Sequence, residues 1–381
     1  MKPSDPTSLP WNEERRTRLA LSHVCEPNVS TLMKIVEQGA LRSLDQMRSG
    51  QFDADDAYAA RGHTLDIDRF IHNLDVLGVR YLVPGDAEWP IGVDDLPGPP
   101  IGLFVKGPLS LSEATWRAVG IVGARAASSY GVQVATELAA GVVDRQATVV
   151  SGAAFGIDAA AHRGALGADG STIAVLACGL DRPYPPAHTA LIDRIGEVGA
   201  VVSEIPLGGA PFRSRFLARN RLIATLSLGI VVVEASPRSG SLNTANWARK
   251  TLRHVAAVPG PVTAMTSAGC HQLIRETGAT LVTDAGEVLE LMGRMGLDLQ
   301  ADRRASMGPE GDLEPREQTL WSAVPVRAAI TIEDLAVRCG ETTLGARAML
   351  GRLELLGLVV RDGDRWRKAR ARRPPASAHS A

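Results

Sequence analysis

Val119-Gly120-Ile121-Val122-Gly123-Ala124-Arg125 and Thr148-Val149-Val150-Ser151-Gly152-Ala153-Ala154-Phe155-Gly156-Ile157-Asp158 share one grammar. Each is an aliphatic run without polar interruption, then a turn of small residues, then a helical pattern. Strands buried on both faces of a parallel sheet read this way. The run recurs at Thr172–Ala177, Ala200–Ser203, Gly229–Val233, His254–Val258 and Thr280–Val282, with helical stretches at 130–141, 157–166, 188–195, 212–226, 242–252 and 269–277 between the strands. Alternation of this kind predicts an α/β fold, an extended Rossmann-like, doubly wound and mostly parallel sheet.

Outward from this block the pattern changes. Val79–Val83 and Leu103–Gly107 read as two further strands around a loop rich in Pro, Gly and Asp. Leu19, Leu21, Leu32, Ile35, Val36 and Leu41 recur at helical spacing upstream. They predict a small all-α module, of the SAM or helix-hairpin-helix kind, over residues 11–77, with the sheet domain over 78–297. Residues 298–316 have the composition of a linker. Over 317–372, three helical patterns precede two short strands joined at Asp362-Gly363, a winged-helix-like arrangement. The polar ends, 1–10 and 373–381, read as disordered tails.

Composition removes several classes. The 381 residues carry 41 Lys+Arg and 42 Asp+Glu, so a globally basic nucleic-acid binder is excluded and only a local basic surface is open. Cys25, Cys178, Cys270 and Cys339 form no CxxC pair, which removes a zinc ribbon and points to a reducing cytoplasm. No secretory leader and no apolar run of the ~20 residues that span a bilayer is seen, so no membrane partner is expected; without a CxxC pair no metal is expected either, and no cofactor is expected. Aromatic residues are 4% of the chain, too few for a stacking platform of the RRM or OB type.

Ligands of an open parallel sheet sit beyond the carboxyl ends of its strands. There the sequence offers Gly123, Ala124, Arg125 and Ser128; Ser151, Gly152, Gly156, Ile157 and Asp158; and Ser239, Gly240 and Ser241 opening a helix. Glycine admits a ligand close to the backbone, and N–H groups at a helix start attract anions. Arg213, Arg215, Arg219 and Arg221, with Asn220 between them and no acid in the stretch, add cations that can bind phosphate bidentately. Neither GxxxxGK[ST] nor GxGxxG occurs, which disfavours a P-loop NTPase and a conventional dinucleotide site. Asp158 and His162 have the spacing of one helix face, as an acid–base pair or as a structural contact. Glu234 and Glu204 at strand ends read as a base for nucleoside hydrolysis or as carboxylates at helix starts. The basic stretch 361–373 reads as a backbone contact or a solubilising tail.

Taken in order, these residues resemble the DNA-processing protein A family (DprA, or Smf). The likeness rests on residues 119–125 with Ser128, Tyr130 and Gly131; 149–152 and 156–158 with Ala161-His162; 172–176 with Gly179-Leu180-Asp181 and Tyr184-Pro185; Ser203-Glu204; Arg219-Asn220-Arg221; Ser239-Gly240-Ser241-Leu242; and Val258-Pro259-Gly260. It implies a non-enzymatic, dimeric protein that binds single-stranded DNA during natural transformation and helps load the RecA recombinase. It also implies a phosphate grip through Gly123, Ala124 and Arg125, through Ser151 to Asp158, and through Arg219 to Arg221. Ala124, Leu217, Trp247, Lys250 and His271 depart from the family's usual residues. A nucleotide phosphoribohydrolase is the alternative, although Ser239–Thr244 lacks the glutamate that such an enzyme carries there.

Overall fold

The computed structural model describes residues 10–52, 65–293, 313–326 and 328–369, so the expected tails and most of the expected linker lie outside the described residues. The chain divides into two compact units, residues 1–299 and 300–381.

The first unit opens with helices α1 (Glu13–Val24), α2 (Val29–Gln38), α3 (Ala40–Arg48) and α4 (Ile67–Leu77). Asn12 and Asn28 start α1 and α2 by accepting the amide three residues on, which satisfies a donor the helix itself leaves free. Then come β1 (Val79–Leu82), β2 (Leu103–Lys106), the short α5 (Leu111–Thr115) and β3 (Ala118–Val122). Strands and helices alternate from there: α6 (Ser129–Val143), β4 (Thr148–Ser151), α7 (Ile157–Gly167), β5 (Thr172–Leu176), α8 (Thr189–Val198), β6 (Ala200–Ser203), α9 (Arg213–Thr225), β7 (Gly229–Val232), α10 (Gly240–Lys250), β8 (His254–Ala257), α11 (Met265–Thr277), β9 (Thr280–Leu281) and α12 (Ala285–Met292).

All nine strands form one sheet in the order β1-β2-β6-β5-β4-β3-β7-β8-β9. It is parallel except where β1 pairs β2 and β2 pairs β6. Alternate residues of each strand serve opposite faces. Val119, Ile121, Val231 and Val233 join the core under α6, α7 and α12, whereas Ala118, Val122, Ile230 and Val232 join the core under α9, α10 and α11. The chain winds from β3 outward to β6, then returns beside β3 at β7. The order reverses there, and the turns after β3 and β7 diverge to leave a crevice.

Packing crosses the expected boundary at residue 77. Arg15 donates to the Tyr81 carbonyl at 2.7 Å and grips Asp86 with both Nη atoms, at 2.9 and 2.6 Å. Leu19 and Leu74 share a core with Tyr81 and Phe104.

The second unit holds α13 (Pro315–Ala323), β10 (Ile330–Thr331), α14 (Ile332–Cys339), α15 (Thr343–Leu355), β11 (Val359–Asp362) and β12 (Arg365–Lys368). Its strands form an antiparallel sheet in the order β10-β12-β11, turned at Gly363 with φ +63°. Its core is its own, built on Leu320, Leu335, Leu350, Leu353 and Trp366. Among the described residues no helix is long and apolar enough to cross a membrane.

Candidate nucleic-acid interface

The crevice at the carboxyl edge is a cleft of about 820 Å³. It gathers Gly123–Ala126 after β3, Ala154 and Asp158 after β4, Tyr184 after β5, Arg213, Phe216, Arg219 and Asn220 from α9, and Arg238–Ser241 at the start of α10.

Arg219 forms the floor. It is only 6% exposed, and its Nη1 donates to the Val175 carbonyl at 2.5 Å. Its Nε is buried without a hydrogen-bond partner. Gly152 makes room for it, since a Cβ there would lie 1.8 Å from Arg219 Nη1. Asp158 is nearby, but its carboxylate accepts the Gly152 and Ala154 amides at 3.2 and 3.4 Å and forms no ion pair with Arg219. Burial pushes the Arg219 pKa down to about 10, partly offset by Asp158. Burial raises that of Asp158, with Arg219 opposing. The floor is therefore a desolvated cation that an additional anion would stabilise.

Arg125, Arg213 and Arg238 are exposed at the rim, and among the described residues none of them pairs with a carboxylate. The Arg125 guanidinium lies 5.1 Å from the Phe216 ring centroid and that of Arg219 lies 6.0 Å from it. Tyr184 meets the same ring edge-on at 5.7 Å. Ser239 starts α10 by accepting the Ser241 amide, and Gly240 has open space where a side chain would stand. Cationic rim, helix start and rings face one volume, an arrangement suited to phosphates joined to flat bases. Among the described residues no three His, Cys, Asp or Glu side chains gather as a metal site.

A sequence model of the family described as DNA recombination-mediator protein A matches residues 80–293. The chain belongs to that family. The DprA-type protein of Mycobacterium tuberculosis is 42% identical over 99% of this chain and 98% of its own length. The crystal structure of DNA processing protein A from Streptococcus pneumoniae superposes with a TM-score of 0.64 at 33% identity, covering 75% of this chain and 100% of that one. DNA processing protein A from Helicobacter pylori, whose single-stranded DNA binding mode has been described structurally, matches with a TM-score of 0.50 at 29% identity, over 55% of this chain and 94% of that one.

Within this family member, several residues expected at the phosphate edge are placed elsewhere. Arg221 is 1% exposed, paired with Glu204 and bonded to the Gly98 carbonyl at 2.9 Å. Arg215 is held by Glu26 in a two-pronged contact at 2.9 and 2.6 Å. The expectation of four unpaired arginines is thus corrected, because acids distant in sequence meet two of them. Ser151 is fully buried and donates to the Ile121 carbonyl at 2.6 Å, and Ile157 is core. Gly123 lines the cleft, but both it and Gly156 have protein neighbours that exclude a side chain. A Cβ at Gly123 would strike Ile157, and one at Gly156, where φ is +76°, would lie 2.2 Å from the Ala124 carbonyl oxygen.

Ser128 spends its hydrogen bonds inside the protein. Its Oγ donates to Glu234 at 2.6 Å and accepts the Gly131 amide, while its own amide donates to the second Glu234 oxygen at 2.9 Å. Glu234 is therefore a carboxylate at a helix start, that of α6, and it does not line the cleft. The Asp158–His162 pair is not formed, since His162 Nδ1 meets Thr172 Oγ1 at 2.7 Å.

Tyr184, Phe216 and Arg238 line the cleft without having been among the expected site residues. Phe216 stands three residues from both Arg213 and Arg219, a spacing that shares a helix face and carried a usable signal. Tyr184 and Arg238 sit in loops with no period to betray them. The chain has few rings, but Tyr184 and Phe216 meet each other in the lining of this cleft.

Proposed function

We propose that this protein binds single-stranded DNA in the cleft at the carboxyl edge of its sheet, and serves as a non-enzymatic mediator that helps load the RecA recombinase during transformation and recombination. The observation that carries the reading is the Arg219 floor, a buried cation that forms no ion pair with the nearby Asp158, beneath three arginines that pair with no carboxylate among the described residues. Phosphates meet Arg125, Arg213, Arg238 and the Gly240 amide that opens α10, and bases stack on Phe216 and Tyr184. Phosphate contacts are blind to sequence, so binding is sequence-tolerant. In this reading the protein works in the cytoplasm as a homodimer, helices α1–α4 form an all-α module, and the second unit is winged-helix-like. On α15, Arg347 and Arg352 share the helix with exposed Leu344 and Leu355, and Arg352 is paired with Glu317, which favours a protein partner over a duplex for that unit.

The phosphoribohydrolase alternative loses its base. Glu234 is tied to Ser128 and Thr266, and Glu204 to Arg221. The deciding experiment is fluorescence anisotropy of labelled oligothymidine, single-stranded and duplexed, across a salt series. Neutralising about four phosphates gives a slope of log K against log salt on the order of −3. Arg125→Ala weakens all sequences alike. Unchanged affinity in that variant at low and moderate salt would remove the site.

A further inference from the structure

A second pocket, about 260 Å³, opens on the other flank of α9, between the Glu26–Val29 turn and α10. We propose that the single strand leaves the cleft over Leu217 and seats a further base in this pocket against Trp247. The proposal rests on the cleft being the strand's binding site.

Four observations carry it. Leu217 lines both pockets and is 45% exposed, an apolar ridge between two hollows. Below it the divide is a polar tie, Asn220 Nδ2 donating to the Gly240 carbonyl and to Asn243 Oδ1, each at 3.3 Å. A strand running along the cleft thus reaches the second pocket without crossing another helix.

The pocket's charge also suits a base. Arg215 and Arg221 on its wall are neutralised by Glu26 and Glu204, so its interior offers no free cation. Outside its lining, Lys250 Nζ stands 5.0 Å from the centroid of the Trp247 ring, and Arg249 and Lys250 are both exposed. A hollow with a ring in its wall, no free cation inside and a lysine against that ring fits an uncharged flat group carried on an anionic backbone. Finally, Asn28 uses its side-chain oxygen on the Thr31 amide and Ser30 hydroxyl, both at 2.8 Å, which leaves its amide hydrogens for the edge of a base.

The test measures affinity against oligothymidine length, from about 4 to about 16 nucleotides, the range over which other single-strand grooves fill. Wild type gains affinity beyond the length that fills the cleft. Trp247→Ala loses that gain, by roughly five- to a hundredfold, as expected for one stacked base, and binds the shortest oligomers unchanged. Trp247→Phe keeps most of it. Lys250→Glu, at an exposed position that leaves the fold alone, also weakens only the longer oligomers. Arg125→Ala weakens every length and reports on the cleft separately. If Arg125→Ala weakens binding while Trp247→Ala and Lys250→Glu follow wild type at every length, the extension is refuted and the cleft stands. If none of the three changes binding at any length, both fall. Saturable binding of a peptide or of free thymidine monophosphate at this pocket, with the length dependence unaltered in Trp247→Ala, would assign it to another occupant and overturn the proposal.

Discussion

Arg219 and Arg221 stand two residues apart on α9, both buried, and they serve different regions. Arg221 lies at the seam with the N-terminal segment, closed by Glu204 and the Gly98 carbonyl. Arg219 lies at the cleft floor, where the neighbouring Asp158 is turned to backbone amides instead. Burial of a cation therefore does not tell its purpose. What decides is whether the fold itself supplies the anion. Where it does, the pair fixes geometry, and where it does not, the charge is left for a ligand.

The largest test of this contrast is Arg221→Met. It strands the buried Glu204 and is expected to cost about 3–5 kcal/mol of stability in urea unfolding, with Glu204→Leu added to it restoring most of the loss. The folded fraction should bind short oligomers, which fill only the cleft, as before. Next comes Arg219→Met, for which the expectation inverts. Single-strand affinity falls about ten- to a hundredfold, the worth of a charge-assisted contact, and the loss of stability is smaller than for Arg221→Met, because the bond to the Val175 carbonyl goes but no ion pair is broken. Equal behaviour of the two variants in either assay would erase the distinction.

A smaller effect separates the regions by acid. His162, fully buried near Arg219, has its pKa pushed down to about 3 by burial, with Arg219 and His188 adding to the effect. The unfolded chain takes up that proton near 6.5, so between those values it binds more protons than the folded one. Stability is whole above 6.5 and falls by about 1.4 kcal/mol per pH unit below it. Unfolding of wild type and His162→Asn at pH 7, 6 and 5 (about one unit apart, the scale of that slope) should show the steeper slope in wild type, with the remainder in His162→Asn coming from His23, which burial also holds below its ordinary value. Asp158 and Glu204, both raised by burial, act in the opposite sense over the carboxylate range and flatten the curve there. The smallest effect belongs to the rim. Arg213→Ala and Arg238→Ala should each reduce the salt slope by about 0.7, the value of one phosphate on a single strand. An unchanged slope would move that residue off the strand's path.

The sheet was legible because its strands are apolar on both faces. Val119–Val122 and Thr172–Leu176 are buried throughout, and their two-sided burial is written in the letters themselves. The carboxyl-edge loops were legible from topology alone. What the sequence withheld was pairing at a distance. Nothing near Arg215 announces Glu26, and the C-terminal half of α9 is buried on all sides, so no apolar stripe distinguishes the faces of Arg219 and Arg221. Ser128 and Ser151 read as ligand donors because their partners, Glu234 and the Ile121 carbonyl, stand far away in sequence. The glycines were ambiguous for a related reason. A position emptied for a ligand and one emptied for Ile157 or a carbonyl look the same in a string of letters.

The Arg219 guanidinium occupies the space that a side chain at position 152 would need. The two positions therefore form one unit of inheritance. A methyl group at Gly152 pushes the guanidinium out of this place, so a lineage that keeps the floor where it is keeps glycine at position 152. A lineage that has lost Arg219 is released from that constraint. A side chain gained at position 152 would then redirect a returning arginine to another place, so the order of the two substitutions matters.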